Sequence, residues 1–300
     1  RIEQRQGGEW TQREVTIAAT GNRDRAASHR LTDRVLGELT GRDGAFAGRL
    51  AVVRRVPGSD PRLYHADPDG KGLRVITPPS QVVVGTAFDG SGRLFYTASV
   101  DNGMIRLYAE GEPEPLTVQP RGSIYGMSFG AKGRVALAIA RGPRIEIWRG
   151  PELGRLERLR EGSLDMHPVL APDGRVAFTA ESKGTTRIFI GTKPISPGRA
   201  SSPTWCDHPD GARLVWIERS SKSSWIWSRP PGKPAEKLVG VRGKISAATC
   251  SPDGRLLLFA YDEGRAFEGP GVYIGNIDAL RPRRILPHPA RDLAWSTPTK

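Results

Sequence analysis

Ser251-Pro252-Asp253-Gly254-Arg255-Leu256-Leu257-Leu258 is the stretch that decides the fold, because the chain contains it twice. The other copy is Ala171-Pro172-Asp173-Gly174-Arg175-Val176-Ala177-Phe178. Each reads as a tight turn feeding an apolar strand. Pro presets φ, Asp accepts from nearby backbone N–H groups, and Gly tolerates φ > 0. A unit of roughly 40 residues recurs around these turns from Ala45 to the end, and periods of that size mark radially repeated sheets.

Each full unit divides into four strands, A to D. Strand A precedes the turn and carries a bulky residue just before it: Phe88, Phe129, Leu170, Trp205, Cys250 by position, and Trp295. Strand B follows, at Leu94–Ala98, Val135–Ile139, Val176–Ala180, Leu214–Glu218 and Leu256–Ala260. Strand C has an aromatic or β-branched centre, as in Leu107-Tyr108, Ile145–Trp148, Ile188–Ile190, Trp225–Trp227 and Val272–Ile274. Strand D is short, at Pro115–Val118, Leu156–Leu159, Pro194–Ser196, Lys237–Val239 and Arg284–Leu286.

The two ends complete each other. The first unit has B, C and D (Leu50–Val53, Leu63-Tyr64, Leu73–Thr77) without A, and the last has A alone (Asp292–Ser296). Joined, they make a sixth sheet, the stitch that closes a ring of blades. A solenoid would need capping repeats instead. The expected fold is mainly β: a six-bladed β-propeller closed by N- and C-terminal strands.

Upstream, Arg1–Gln6 and Trp10–Ala18 alternate polar and apolar around Gly7-Gly8 and read as a hairpin. From about Arg23 to Leu39 the period changes. Ala27, Leu31, Val35 and Leu39 form one helix stripe, with Asn22 as N-cap and Gly41 as stop. Residues 1–43 therefore read as the C-terminal part of an α+β domain, and 44–300 as the propeller. The chain opens at Arg1-Ile2-Glu3 as if in mid-strand, so a fragment lacking its true N-terminus is expected.

No apolar run approaches the ~20 residues of a membrane helix. The net charge of +13 is mostly Arg, spread along the whole chain. Nucleic acid is not the expected partner, although a basic patch assembled by folding stays open, and an anionic envelope partner suits the same charge. Cys206 and Cys250 are too few for a disulfide framework or a zinc site. They read as two buried free thiols, with a disulfide between neighbouring inner strands open in an oxidising compartment.

The junction of helix and propeller carries a family resemblance. It runs through Ala27-Ser28-His29-Arg30-Leu31-Thr32-Asp33-Arg34-Val35, then Leu39-Thr40-Gly41, then Gly44-Ala45-Phe46-Ala47-Gly48-Arg49-Leu50-Ala51-Val52-Val53. This pattern, with the His65-Ala66-Asp67-Pro68-Asp69-Gly70 hairpin, resembles the TolB family of periplasmic Tol–Pal proteins over essentially the whole chain. The resemblance implies a non-catalytic periplasmic scaffold, without cofactor, that supports outer-membrane integrity, division and protein transport. It implies a monomer that binds the peptidoglycan-associated lipoprotein Pal on the propeller face. TolA or other Tol proteins would be engaged through an N-terminal segment this sequence lacks, so TolA binding is not inferred.

In that family the Pal contacts sit just before a Pro that starts strand A. The motif is kept in Asp165-Met166-His167-Pro168 and Ser201-Ser202-Pro203, which makes Met166, His167, Ser201 and Ser202 the lead candidates. The acidic residue often found before the Pro is His167 in one unit and Ser202 in the other. Topologically matching positions are Tyr125-Gly126, Ser246-Ala247 and Arg291-Asp292.

Other residues take blander readings. His29 and Asp33 lie four apart on the helix and read as a structural pair. His65, His208 and His288 read as surface turn residues. Asp67, Asp69 and Gly70 lack the later bidentate acid of a calcium loop and read as a hairpin turn. Asp173 and Asp253 read as turn acceptors. Trp148, Trp205, Trp216, Trp225, Trp227 and Trp295 read as packing between blades rather than a carbohydrate platform. The chain has no Gly-x-Ser-x-Gly elbow, no His-Glu-x-x-His and no phosphate or dinucleotide glycine loop. The alternative that survives is a propeller enzyme, or the propeller domain of one, with a catalytic cluster assembled from separate blades.

Overall fold

The computed structural model describes residues 2–6, 9–18, 24–54, 58–100, 103–160 and 162–298. The repeat folds as a six-bladed β-propeller. Blade 1 comprises Val82–Phe88, Leu94–Ser99 and Ile105–Ala109. Blade 2 comprises Ser123–Phe129, Val135–Arg141, Arg144–Glu152 and Arg155–Arg158. Blade 3 comprises Asp165–Leu170, Val176–Ser182, Thr185–Ile190 and Lys193–Pro194. Blade 4 comprises Ala200–Cys206, Arg213–Arg219, Ser223–Arg229 and Glu236–Arg242. Blade 5 comprises Lys244–Cys250, Leu256–Glu263, Gly271–Asn276 and Arg283–Leu286. In blade 6, strand A is Asp292–Trp295 from the C-terminal end, and it pairs with Leu50–Arg54, Arg62–Ala66 and Arg74–Val75.

The seam is a regular antiparallel ladder, Asp292 opposite Val53 through Trp295 opposite Leu50. Arg291 N–H donates to Val53 O at 2.7 Å and Ser296 N–H to Arg49 O at 2.9 Å, extending the pairing at both ends. Trp295 is buried, and its Nε1–H donates to Ala45 O at 3.0 Å. Closure leaves the ring no open seam at which blades could splay.

Each blade interface holds its own apolar cluster. Ala51, Val53, Leu63 and Ala294 of blade 6 meet Val83, Leu94 and Tyr96 of blade 1. Trp216 of blade 4, 1% exposed, packs on Ala177 and Ile188 of blade 3, with Trp205 and Trp227 beside it. Full burial of one such side chain is worth about 1.5–3 kcal/mol. Trp225 and Trp148 are half-buried.

The turns behave as their residues dictate. Asp173 accepts from Arg175 N–H at 3.0 Å, and Asp253 accepts from Arg255 Nη1–H at 3.1 Å. Gly254 has φ +74, and a Cβ there would lie 2.3 Å from the Asp207 backbone, so only glycine fits.

Several expectations are corrected. Pro115–Val118 forms no fourth strand in blade 1, only one bond from Leu116 N–H to Leu107 O at 2.8 Å. Pro113 and Pro115 have no N–H to give a ladder. The helix, Arg25–Thr40, is capped by Asp24, which accepts from Ala27 N–H at 2.9 Å; Asn22 lies outside the described residues, as does Gly7-Gly8 between the strands Ile2–Gln6 and Glu9–Arg13. Gly41 ends the helix as expected, at φ +75. The apolar stripe is only partly covered: Ala27 is buried, but Leu31 and Leu39 are 38% and 42% exposed.

His29 and Asp33 do not pair. His29 turns to Asp69 at 3.5 Å, while Asp33, 5% exposed, accepts from Phe46 and Ala47 N–H at 2.7 Å each. Asp33 thereby fastens the helix to the first turn of the propeller chain. His65 and His208 are buried, not surface residues; His288 is exposed. His65 stacks on Phe88 with Glu110 3.6 Å away, and burial lowers its pKa to about 4. His208 accepts from Asp210 N–H at 3.1 Å and faces Asp278 at 3.1 Å. Cys206 and Cys250 are joined, not free: adjacent first strands bring their Cα atoms to 5.3 Å and the disulfide ties blade 4 to blade 5.

Candidate functional site

Antiparallel strands put the A–B and C–D turns at one end of the propeller channel and the D–A loops at the other. The helix occupies the first end. Arg25 pairs with Asp67 and His29 with Asp69 on a C–D turn of blade 6. Arg42 donates to Asp207 O and Oδ2, both at 2.7 Å, and Arg255 donates to Thr40 Oγ1 at 2.7 Å, on the A–B turns of blades 4 and 5. The D–A end is an open mouth, and the channel running from it encloses about 630 Å³.

That mouth is built by a repeated irregularity. Strand A of blades 1 to 5 shifts register close to its start: at Val84, at Tyr125, at His167-Pro168, at Ser202-Pro203 and at Ser246. A bulge inserts one unpaired residue and bends the strand. In blades 3 and 4 the cause is legible, since Pro168 and Pro203 have no N–H for the ladder. The residue before each Pro is ordinarily extended, yet both stand at positive φ, His167 at φ +51 and Ser202 at φ +51. Non-glycine residues held there store strain that surrounding packing must offset.

The candidate residues converge on this mouth. Tyr125, Gly126, Met166, His167, Ser202, Ser246, Ala247, Arg291 and Asp292 all line the channel. Ser201 does not; its Oγ is buried without a hydrogen-bond partner. At Gly126 blades 2 and 3 approach closely, since a Cβ there would lie 3.0 Å from Pro168 Cδ and 3.3 Å from His167 N.

Val84-Gly85, the blade 1 counterpart, also lines the channel and was missed. It stands four and three residues before Phe88, as Tyr125-Gly126 stands before Phe129, so the same register would have found it. Arg219 and Asp262 had no such signal, because they come from the ends of B strands. Arg219 of blade 4 reaches over to blade 5, donating to Ile245 O at 3.0 Å and Ser246 O at 3.2 Å. Asp262 accepts from Ser246 Oγ–H at 2.8 Å and faces Lys244 at 3.5 Å.

Charge at the mouth is perturbed. Crowding by protein, and then Arg219, lower the His167 pKa, an effect that water tempers because the residue is exposed. Burial pushes the Asp292 carboxyl up to about 6, although it accepts from Thr86 N–H at 2.8 Å. Burial also raises Asp262. These acids are engaged in structural bonds. Among the described residues no group of three or more His, Cys, Asp or Glu could hold a metal ion. The arrangement offers a firm ring of hydrogen-bonding and apolar contacts.

No protein-family model matches the chain. Its sequence is 37% identical to the Tol-Pal system protein TolB of Nitrosomonas europaea over 82 residues, 27% of this chain and 19% of that protein. It is 27% identical to the TolB of Anaeromyxobacter dehalogenans over 128 residues, 41% of this chain and 29% of that one. The matches thus span less than a third of the curated relatives' own length. The crystal structure of TolB from Acinetobacter baumannii superposes with a TM-score of 0.76 at 20% identity, over 96% of this chain and 76% of that one. The tricorn protease shares the fold alone, with a TM-score of 0.56 at 17% identity over 81% of this chain and 26% of that one. Sequence and fold likeness point the same way and support a TolB-family protein. No helix among the described residues is long and apolar enough to cross a membrane.

Proposed function

We propose that this chain is a non-catalytic periplasmic scaffold of the Tol–Pal envelope system, whose channel mouth docks the peptidoglycan-associated lipoprotein Pal and so supports outer-membrane integrity and constriction at division. Residues 1–43 then belong to a preceding α+β domain and 44–300 to the propeller. The observation that carries the reading is the pair of left-handed residues, His167 and Ser202, at the same position of adjacent blades and both lining the channel. Loops fixed by packed sheets lose little entropy on binding, and residues at the centre of such a face dominate the energy.

The non-catalytic reading rests on the mouth acids, since Asp262 and Asp292 each already accept a structural hydrogen bond. The test is calorimetric titration with Pal from the same organism. His167→Ala with Ser202→Ala is expected to weaken binding by about 1–3 kcal/mol while the thermal midpoint barely moves. Unchanged affinity in the double variant rejects this assignment of the site, and no binding by the parent protein rejects the partner.

A further inference from the structure

At the A–B end, sharing Leu170 with the channel lining, a groove of about 680 Å³ opens between blades 2 and 3, where the C–D hairpin of blade 2 faces the A–B turn of blade 3. Its floor is apolar, formed by Val135, Leu156 and Leu170. Its walls carry three guanidinium groups, Arg134, Arg149 and Arg155, against one carboxylate, Glu157. That carboxylate is already spoken for, since Arg149 Nε–H donates to Glu157 Oε1 at 3.1 Å.

Arg134 is held by backbone rather than by an acid. Its Nε–H donates to Ala131 O at 3.3 Å and its Nη2–H to Pro172 O at 3.2 Å, bracing it across the A–B turns of both blades. Asp173, the acid whose pKa it helps lower, is itself paired with Arg175 at 2.7 Å. The Arg155 side chain has no hydrogen-bond or ion-pair partner among the described residues; Glu152 stands opposite it in the hairpin ladder without lining the groove. Gly174 keeps the wall open, for a Cβ there would lie 2.1 Å from Arg134 Nη1.

Two guanidinium groups without a carboxylate partner of their own therefore flank an apolar floor. Planar guanidinium forks match carboxylate, sulfonate and phosphate oxygens two at a time. A cavity of this size suits a small organic ligand. We propose that this groove is a second binding site, distinct from the channel mouth, for an amphiphilic organic anion: an acid head between Arg134 and Arg155, an apolar body on Leu156 and Leu170.

The probe is 8-anilinonaphthalene-1-sulfonate, titrated into the full chain and followed by fluorescence. A saturable component should be displaced by dodecanoate, but not by acetate, which lacks the body, or by dodecyltrimethylammonium, which inverts the charge. Arg155→Glu and, separately, Leu156→Asp should each weaken that component by about tenfold or more, with circular dichroism and thermal midpoint unchanged. Arg149→Gln, which leaves Glu157 unpaired beside the head, should weaken it as well and serves if either other variant misfolds. The proposal is overturned if no component depends on Arg155 or Leu156, or if the cationic amphiphile competes as well as the anionic one.

Discussion

The two ends of the channel are made of the same strands and turned to opposite uses. At the A–B end several polar groups clamp the structure. Asp33 holds two backbone N–H groups, Arg42 holds Asp207, and Trp295 holds Ala45. At the D–A end the strands bulge, two non-glycine residues stand at φ +51, and burial pushes Asp165 and Asp292 up to about 6. One end is spent on closing and clamping the ring. The other carries the bulged strands and two poorly solvated carboxyls, which a rigid ring can sustain.

The contrast breaks first at Trp295. Trp295→Ala removes a buried indole from the seam and is expected to cost about 3–5 kcal/mol in denaturant unfolding. A loss below about 1 kcal/mol would mean that the seam is not what holds the ring shut.

The Cys206–Cys250 bond comes next. The cysteines are 44 residues apart, and constraining a loop of that length is worth about 2–4 kcal/mol. Reduction should lower stability by that amount while leaving the proposed Pal binding unchanged, because the bond lies at the far end of strand A from the bulges.

Asp33→Ala leaves two N–H groups of the junction without their acceptor, at about 1–3 kcal/mol. Protection of the Phe46 and Ala47 amides from hydrogen exchange should fall in the variant. Protection equal to the parent would show that the clamp is redundant.

The last test sharpens the charge at the mouth. Asp165 is 1% exposed, and burial raises its pKa from 3.8 to about 6, against the opposing pull of Arg160 and with a further push from Glu146. The folded state thus binds this proton more tightly than the unfolded one. Its contribution to stability is greatest below about pH 4 and is lost as pH rises through about 6. Asp165→Asn should flatten that part of the stability-versus-pH curve, and an unchanged curve would show that the carboxyl is not protonated in this window.

Much of this was legible in the residues. The recurring Pro-Asp-Gly turns marked the ends of strand A, and the incomplete first and last units specified the shared sheet later seen as Trp295 opposite Leu50. Pro168 and Pro203 announced that something irregular begins there. The lost fourth strand of blade 1 was also written in Pro113 and Pro115, but a short apolar stretch outweighed them in the reading. Val84-Gly85 was legible too, since it stands at the same distance before Phe88 as Tyr125-Gly126 before Phe129, but the matching position in blade 1 was left out.

What the sequence alone determined is therefore everything with a local period: the number of blades, where each turns, and how the ends must meet, since alternation and turn chemistry act between near neighbours. What only the tertiary structure decided are pairings between residues far apart in the chain. These include the bond between Cys206 and Cys250, Arg42 with Asp207, His29 with Asp69 rather than Asp33, and the basic groove between blades 2 and 3. Such contacts depend on how each blade is rotated against the next, and that angle is set by the summed packing of whole interfaces, which no single residue encodes.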